Sequence, residues 1–201
     1  MKRIVASVFK DWLDFIFPPL CDCCKEPCET TFLCPGCWEL CSLPDPAERC
    51  RHCFAEKGEE ICPACRIKAE FPFPSAFVFE STPPVFHLCI KGKEEPEIAA
   101  AFALVQWERL DWPIPDSIVP LPGCRDLAKI FAAWLERPCA DVLQCSRGWN
   151  CDVDGLEENQ LILVICRAAT ADEIRGAAEA LYEAFPKKIF VLSLTPIVRN
   201  P

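Results

Sequence analysis

Residues 161–185 read LILVICRAATADEIRGAAEALYEAF. Leu161 to Ile165 is an unbroken apolar run, as expected for a strand buried on both faces of a parallel sheet. Ile174, Ala177, Ala178, Leu181 and Phe185 then recur at helical spacing. Between the two segments, Thr170-Ala171-Asp172-Glu173 has the form T-x-x-E. That is a capping box: the Thr170 hydroxyl accepts from the Glu173 N–H, and the Glu173 carboxylate accepts from the Thr170 N–H. Asp172 and Glu173 also set negative charge against the positive end of the helix. The stretch therefore reads as strand, tight turn and capped helix.

The same alternation extends outward. Ala76-Phe77-Val78-Phe79 is a short strand candidate. Pro96 opens a helical run with Ile98, Phe102 and Val105 on one face. Ser117-Ile118-Val119 is a brief strand ended by Pro120, and Leu127, Ile130, Phe131, Trp134 and Leu135 repeat at helical spacing. Lys188 to Leu194 closes with another strand. Strands separated by single helices imply right-handed crossovers and a parallel sheet, so residues 75–201 read as an α/β domain. Ligands of such sheets bind where strands end and helices begin, which points to the turns at Pro120–Arg125 and Cys166–Asp172.

Upstream the chemistry changes. Eight of the 17 cysteines form four C-x-x-C pairs: Cys21/Cys24, Cys34/Cys37, Cys50/Cys53 and Cys62/Cys65. Each such turn aims two thiolates at one point, and two turns complete a tetrahedral S4 site suited to structural Zn²⁺. Two zinc ions are expected, with Pro35-Gly36 and Pro63-Ala64 serving the tight turns. The pairing is open between sequential (Cys21, Cys24, Cys34 and Cys37 on one metal) and cross-braced (Cys21/Cys24 with Cys50/Cys53). An odd cysteine total and metal-ligand spacing oppose a disulfide framework and favour a reducing cytoplasm. Cys23, Cys28 and Cys41 are spare, and no repeat is read beyond the pairs themselves. His52 lies inside the third pair, but its flanking cysteines already have ligand spacing; His87 reads as packed or surface. Residues 1–19 read as an amphipathic helix with Ile4, Val8, Trp12 and Ile16 on its apolar face. The cysteine module spans 20–68, and Phe71-Pro72-Phe73-Pro74 is a stiff junction.

The net charge is −9. An acidic chain lacks the counterion release that drives non-specific nucleic-acid binding, which excludes DNA binding by the whole surface. No run of about 18 apolar residues exists, so no membrane-spanning helix is expected. Asp152/Asp154 and Glu157/Glu158 read as a solvated loop.

An apolar N-terminal helix leading into Phe17-Pro18-Pro19-Leu20-Cys21, then paired cysteines, then a small α/β domain, resembles the ComF family of competence-associated proteins. That family joins a double zinc ribbon to a type I phosphoribosyltransferase domain. His87-Leu88-Cys89-Ile90-Lys91-Gly92 resembles its segment ending in Leu-Lys-Tyr, and Ile118-Val119-Pro120-Leu121-Pro122 its Val-Pro-Val-Pro strand end. The resemblance implies phosphoribosyl pyrophosphate (PRPP) held with Mg²⁺, and residual anion contacts at Lys91, Arg125 and Thr170. It also implies competence or DNA-processing partners, with single-stranded DNA as a ligand of the zinc ribbon. The PRPP motif departs from the family pattern. Ile165 and Cys166 occupy its two acid positions, Ala169 replaces a threonine and Ala171 a glycine. Weak or lost transferase activity is therefore expected; the alternative is a zinc-dependent interaction module without enzymatic activity.

Overall fold

The computed structural model describes residues 18–28, 33–56, 61–68, 72–80, 82–85 and 96–198. In chain order the strands are β1 (Ser75–Phe77), β2 (Ser117–Pro120), β3 (Leu143–Cys145), β4 (Trp149–Cys151), β5 (Leu161–Cys166) and β6 (Lys188–Ser193). The helices are α1 (Pro35–Glu39), α2 (Pro63–Lys68), α3 (Pro96–Arg109), α4 (Arg125–Trp134) and α5 (Ala171–Leu181). The expected N-terminal helix and the segment carrying His87 and Lys91 lie outside the described residues.

The long apolar run is an interior strand. β5 pairs in parallel with β6 along its whole length and with β2 from Ile162 to Ile165. The four-stranded sheet has the order β1-β6-β5-β2 and is parallel throughout. Alternation along β5 supplies both faces. Leu163 and Ile165 join Ala99, Ala103, Leu127 and Phe131 from α3 and α4 on one side. Ile162, Val164 and Cys166 meet Ile174, Ala177 and Leu181 of α5 on the other. Each such Leu, Ile, Val or Phe side chain, fully buried, contributes roughly 1.5–3 kcal/mol.

The order explains which helix lies where. After β2 and α4 the chain steps outward: Ile118 donates to the Pro138 carbonyl (3.0 Å) and accepts from the Ala140 N–H (2.9 Å). It then returns across the opposite face through the antiparallel β3–β4 pair before entering β5. The path reverses between β2 and β5, so their C-terminal ends flank a crevice at a topological switch point.

Three expectations change in detail. α3 forms where Pro96 places it, but it buries Ala99, Ala100, Ala103 and Gln106 rather than Val105, which is 46% exposed. Small side chains let α3 approach α4 closely, while Ile98 and Phe102 pack at the margin. α5 stops at Leu181 and a 3-10 turn follows. Phe185 then turns left-handed (φ 49°) and is exposed, off the helix face it was expected to share. The β3–β4 hairpin was not anticipated. It places Trp149 against α5, where a Cβ on Gly176 would sit 2.3 Å from the Trp149 Cδ1 and 2.7 Å from its Nε1.

Two substitutions test this architecture in thermal melts. Val164→Asp buries an unpaired charge in the central strand and should cost several kcal/mol, about 3 or more; an unchanged Tm would place that strand elsewhere. Gly176→Ala gains about 1 kcal/mol of helix propensity but overpacks Trp149 at a cost of roughly 1–3 kcal/mol. It should lower the Tm, and adding Trp149→Leu should recover the loss. Stabilisation by Gly176→Ala alone would contradict the Trp149 contact.

Candidate metal centres

The paired cysteines assemble sequentially. Cys21, Cys24, Cys34 and Cys37 form one group, and Cys50, Cys53, Cys62 and Cys65 the other, with all sulfurs of a group within 4.8 Å of one another. In a zinc tetrahedron with Zn–S bonds near 2.3 Å, sulfurs lie about 3.8 Å apart. Cys24 and Cys34 sulfurs are 3.6 Å apart, and those of Cys53 and Cys62 are 3.7 Å apart. Disulfide sulfurs would lie at about 2.05 Å. Four thiols in this arrangement fit a closed structural metal site, and His52 belongs to neither group.

Both centres are built from the same backbone, a repeat deeper than the cysteine spacing. Cys21 N–H donates to the Glu26 carbonyl and Lys25 N–H to the Cys21 carbonyl; Cys50 N–H donates to Ala55 and Phe54 N–H to Cys50 in the same way. Lys25 (φ 62°) and Phe54 (φ 58°) turn left-handed at equivalent positions. Pro35 and Pro63 each begin the helix that carries the second pair. In each repeat one thiol also accepts across the site, Cys21 from the Cys34 N–H and Cys50 from the Cys62 N–H, both at 3.3 Å. Burial pushes these two thiols up, but the backbone donors around each outweigh it and bring both down to about 6. Thiolate, the form that binds metal, is thereby favoured before any metal arrives. Cys37 and Cys65, lacking such dominant donors, are pushed up by burial and by neighbouring thiols. The spare Cys41 donates to the Cys37 carbonyl (3.6 Å), and burial raises its thiol to about 11.

The second repeat is bolted to the sheet. The Arg49 guanidinium, 12% exposed, pairs with Glu80 and Glu56 and lies over the Phe77 ring at 5.7 Å. Phe54 meets Phe77 edge-on at 5.1 Å. Ser75 N–H donates to the His52 carbonyl at 2.8 Å, and the buried Gln106 of α3 donates to the Pro44 carbonyl at 3.0 Å.

The crevice at the switch point is closed by the chain's own groups. Thr170 and Glu173 form the expected capping box, at 2.7 Å for Thr170 N–H to Glu173 and 3.2 Å for the return bond. The Ala171 N–H donates to the Val198 carbonyl at 2.8 Å. Arg167, 8% exposed, donates from Nη1 to the Gly123 carbonyl at 2.9 Å, linking the two turns that flank the crevice. Ile165 and Cys166 are buried in the sheet, and burial pushes the Cys166 thiol up to about 12, partly offset by Ser193. A neutral buried thiol cannot stand in for a carboxylate. Arg125 is paired with Asp141 at the start of α4. The acids Asp152, Asp154, Glu157 and Glu158 are exposed, as expected for a solvated loop.

Neither the protein-family models nor the curated proteins compared with the chain give a match. Among the described residues, no helix is long and apolar enough to cross a membrane.

Freshly reduced protein should carry about two zinc ions per chain. Cys21→Ser and Cys50→Ser should each release about one, because a three-thiolate site binds more weakly and the local fold depends on metal. Co²⁺ substitution should give the intense d–d bands of tetrahedral thiolate coordination. Less than about one zinc per chain by elemental analysis, or these cysteines in disulfides, would remove the assignment.

Proposed function

We propose that the protein is a zinc-stabilised recognition protein of the ComF type, built on a phosphoribosyltransferase-like domain that no longer transfers phosphoribosyl groups. The order of parts supports the resemblance: two cysteine tetrads lead into an all-parallel α/β sheet with a switch point. The observation that carries the loss of catalysis is the occupied helix terminus. A 5′-phosphate needs free N–H groups at the start of the helix. At α5 the donors of Thr170, Ala171, Glu173 and Ile174 are already bonded within the chain, two of them in the capping box with Glu173. Asp172 and Glu173 add negative charge where the phosphate would sit.

The ribose end fails independently. Ile165 and Cys166 remove two charge-assisted hydrogen bonds, roughly 3–6 kcal/mol together. That corresponds to a factor of at least about 100 in binding or rate. On this reading the two zinc centres serve architecture, and the protein works by holding partners, with DNA-processing proteins the class the resemblance suggests.

Calorimetry of zinc-loaded protein with PRPP and Mg²⁺ tests the reading. Binding should be weaker than about 1 mM, with no pyrophosphate released for any base. Micromolar, Mg²⁺-dependent binding by the unmodified chain would overturn it.

A further inference from the structure

A cavity of about 840 Å³ lies at the opposite end of the sheet, where the second cysteine repeat meets the N-terminal ends of β1 and β6. Its size falls within the roughly 300–1,000 Å³ of small-molecule sites. Three separate elements build its walls. The knuckle of the second repeat contributes Arg51 and the buried Phe54. The end of α3 and the turn after it contribute Arg109, Asp111 and Trp112. β6 contributes Lys188 and Phe190, which strand alternation puts on one face. Trp112 and Phe190 meet at 5.0 Å between ring centres, and the Lys188 ammonium sits 4.9 Å above the Phe190 ring.

The lining combines three kinds of group. Aromatic rings line an apolar wall. Arg51, Arg109 and Lys188 supply cationic donors, and Glu48 and Asp111 supply carboxylate acceptors. Bases outnumber acids here, although acids outnumber bases by 30 to 21 in the whole chain. The matching ligand has a flat aromatic body, an anionic group and hydrogen-bond donors. Rings stack on the aromatic wall, the anion meets the guanidinium and ammonium groups, and hydroxyl or amino donors meet the carboxylates.

We infer that this cavity binds a free nucleoside monophosphate, with its base against the half-buried Trp112, which Phe190 backs from within the core, and its phosphate toward Arg51, Arg109 and Lys188. A free mononucleotide fits better than a nucleic-acid strand, because a −9 chain repels an extended polyanion beyond the cavity. The site is separate from the closed crevice at α5 and needs neither Mg²⁺ nor PRPP chemistry. It depends on the second metal centre, because Arg51 lies between two of its ligands, Cys50 and Cys53.

Titration of the zinc-loaded full chain with AMP and UMP, read by calorimetry without Mg²⁺, tests the site. At least one should bind one-to-one, tighter than about 1 mM, and adenosine or uridine without phosphate should bind at least about tenfold more weakly. The exposed charge reversal Lys188→Glu should weaken binding about fivefold or more while zinc content and Tm stay unchanged, and Arg51→Glu, compared at equal zinc content, should weaken it by a similar factor. Trp112→Leu should weaken it too, and tryptophan quenching by nucleotide should disappear with that residue. The inference falls if neither nucleotide binds below about 5 mM, if both charge reversals leave binding intact, or if a deoxyadenosine oligomer binds more tightly than AMP. It also falls if Arg125→Ala, at the other end of the sheet, abolishes binding. The PRPP experiment is independent of each of these outcomes.

Discussion

The convergence of four thiols at each of two points is the constraint on which the described part of the N-terminal third depends. Between Cys21 and Cys65 the described chain has two short helices, a 3-10 turn and no ladder longer than a single bridge. Ordering each residue there costs roughly 1–2 kcal/mol. Zinc bound at each thiol group would offset part of that cost. The remainder comes from the sheet. Leu33, Cys37, Cys41 and Phe54 share one buried cluster with Phe77, Phe79 and the α3–α4 face. The four sulfurs of each group draw its knuckle together, and the shared core fixes its position.

The two ends of the parallel sheet have opposite characters. At the C-terminal end, where this class of sheet ordinarily receives ligands, backbone and side-chain groups satisfy one another across the switch point. Arg167 reaches Gly123, Val198 reaches Ala169 and Ala171, and Thr170 closes on Glu173. At the N-terminal end the cysteine module leans over the strands without filling the space beneath it. Among the described residues the cysteine module thus frames a concavity of about 840 Å³ at the N-terminal end of the strands.

The most legible parts of the sequence were those where one physical requirement dominates. A strand buried on both faces demands continuous apolar residues, as at Leu161–Ile165. A capped helix demands T-x-x-E at Thr170, and a thiolate site demands C-x-x-C. The hairpin at 143–151 was not legible, because each strand has only three residues and no clean alternation. The buried face of α3 was misread because periodicity weights large side chains, whereas the tight contact with α4 selects Ala99, Ala100 and Ala103. The backbone repeat was hidden because only its cysteines and the prolines after Cys34 and Cys62 are shared in sequence. Lys25 and Phe54 occupy one conformation with unrelated chemistry, since the exposed lysine faces away while the phenylalanine packs on Phe77. The cavity at Trp112 was invisible because its walls come from segments distant in the chain.

The bond from Ser75 N–H to the His52 carbonyl has a colloidal consequence. Among the described residues β1 is the outer strand of the sheet, with no partner strand on one flank. Unpaired strand edges template the addition of other chains. Here the knuckle of the second cysteine group meets that flank at Ser75 and supplies its acceptor. Loss of a metal bound at that group would free His52 and uncover the edge of β1 and the ring of Phe77. Zinc supply would then set the protein's tendency to self-associate as well as its local fold, and light scattering during chelation follows that tendency directly.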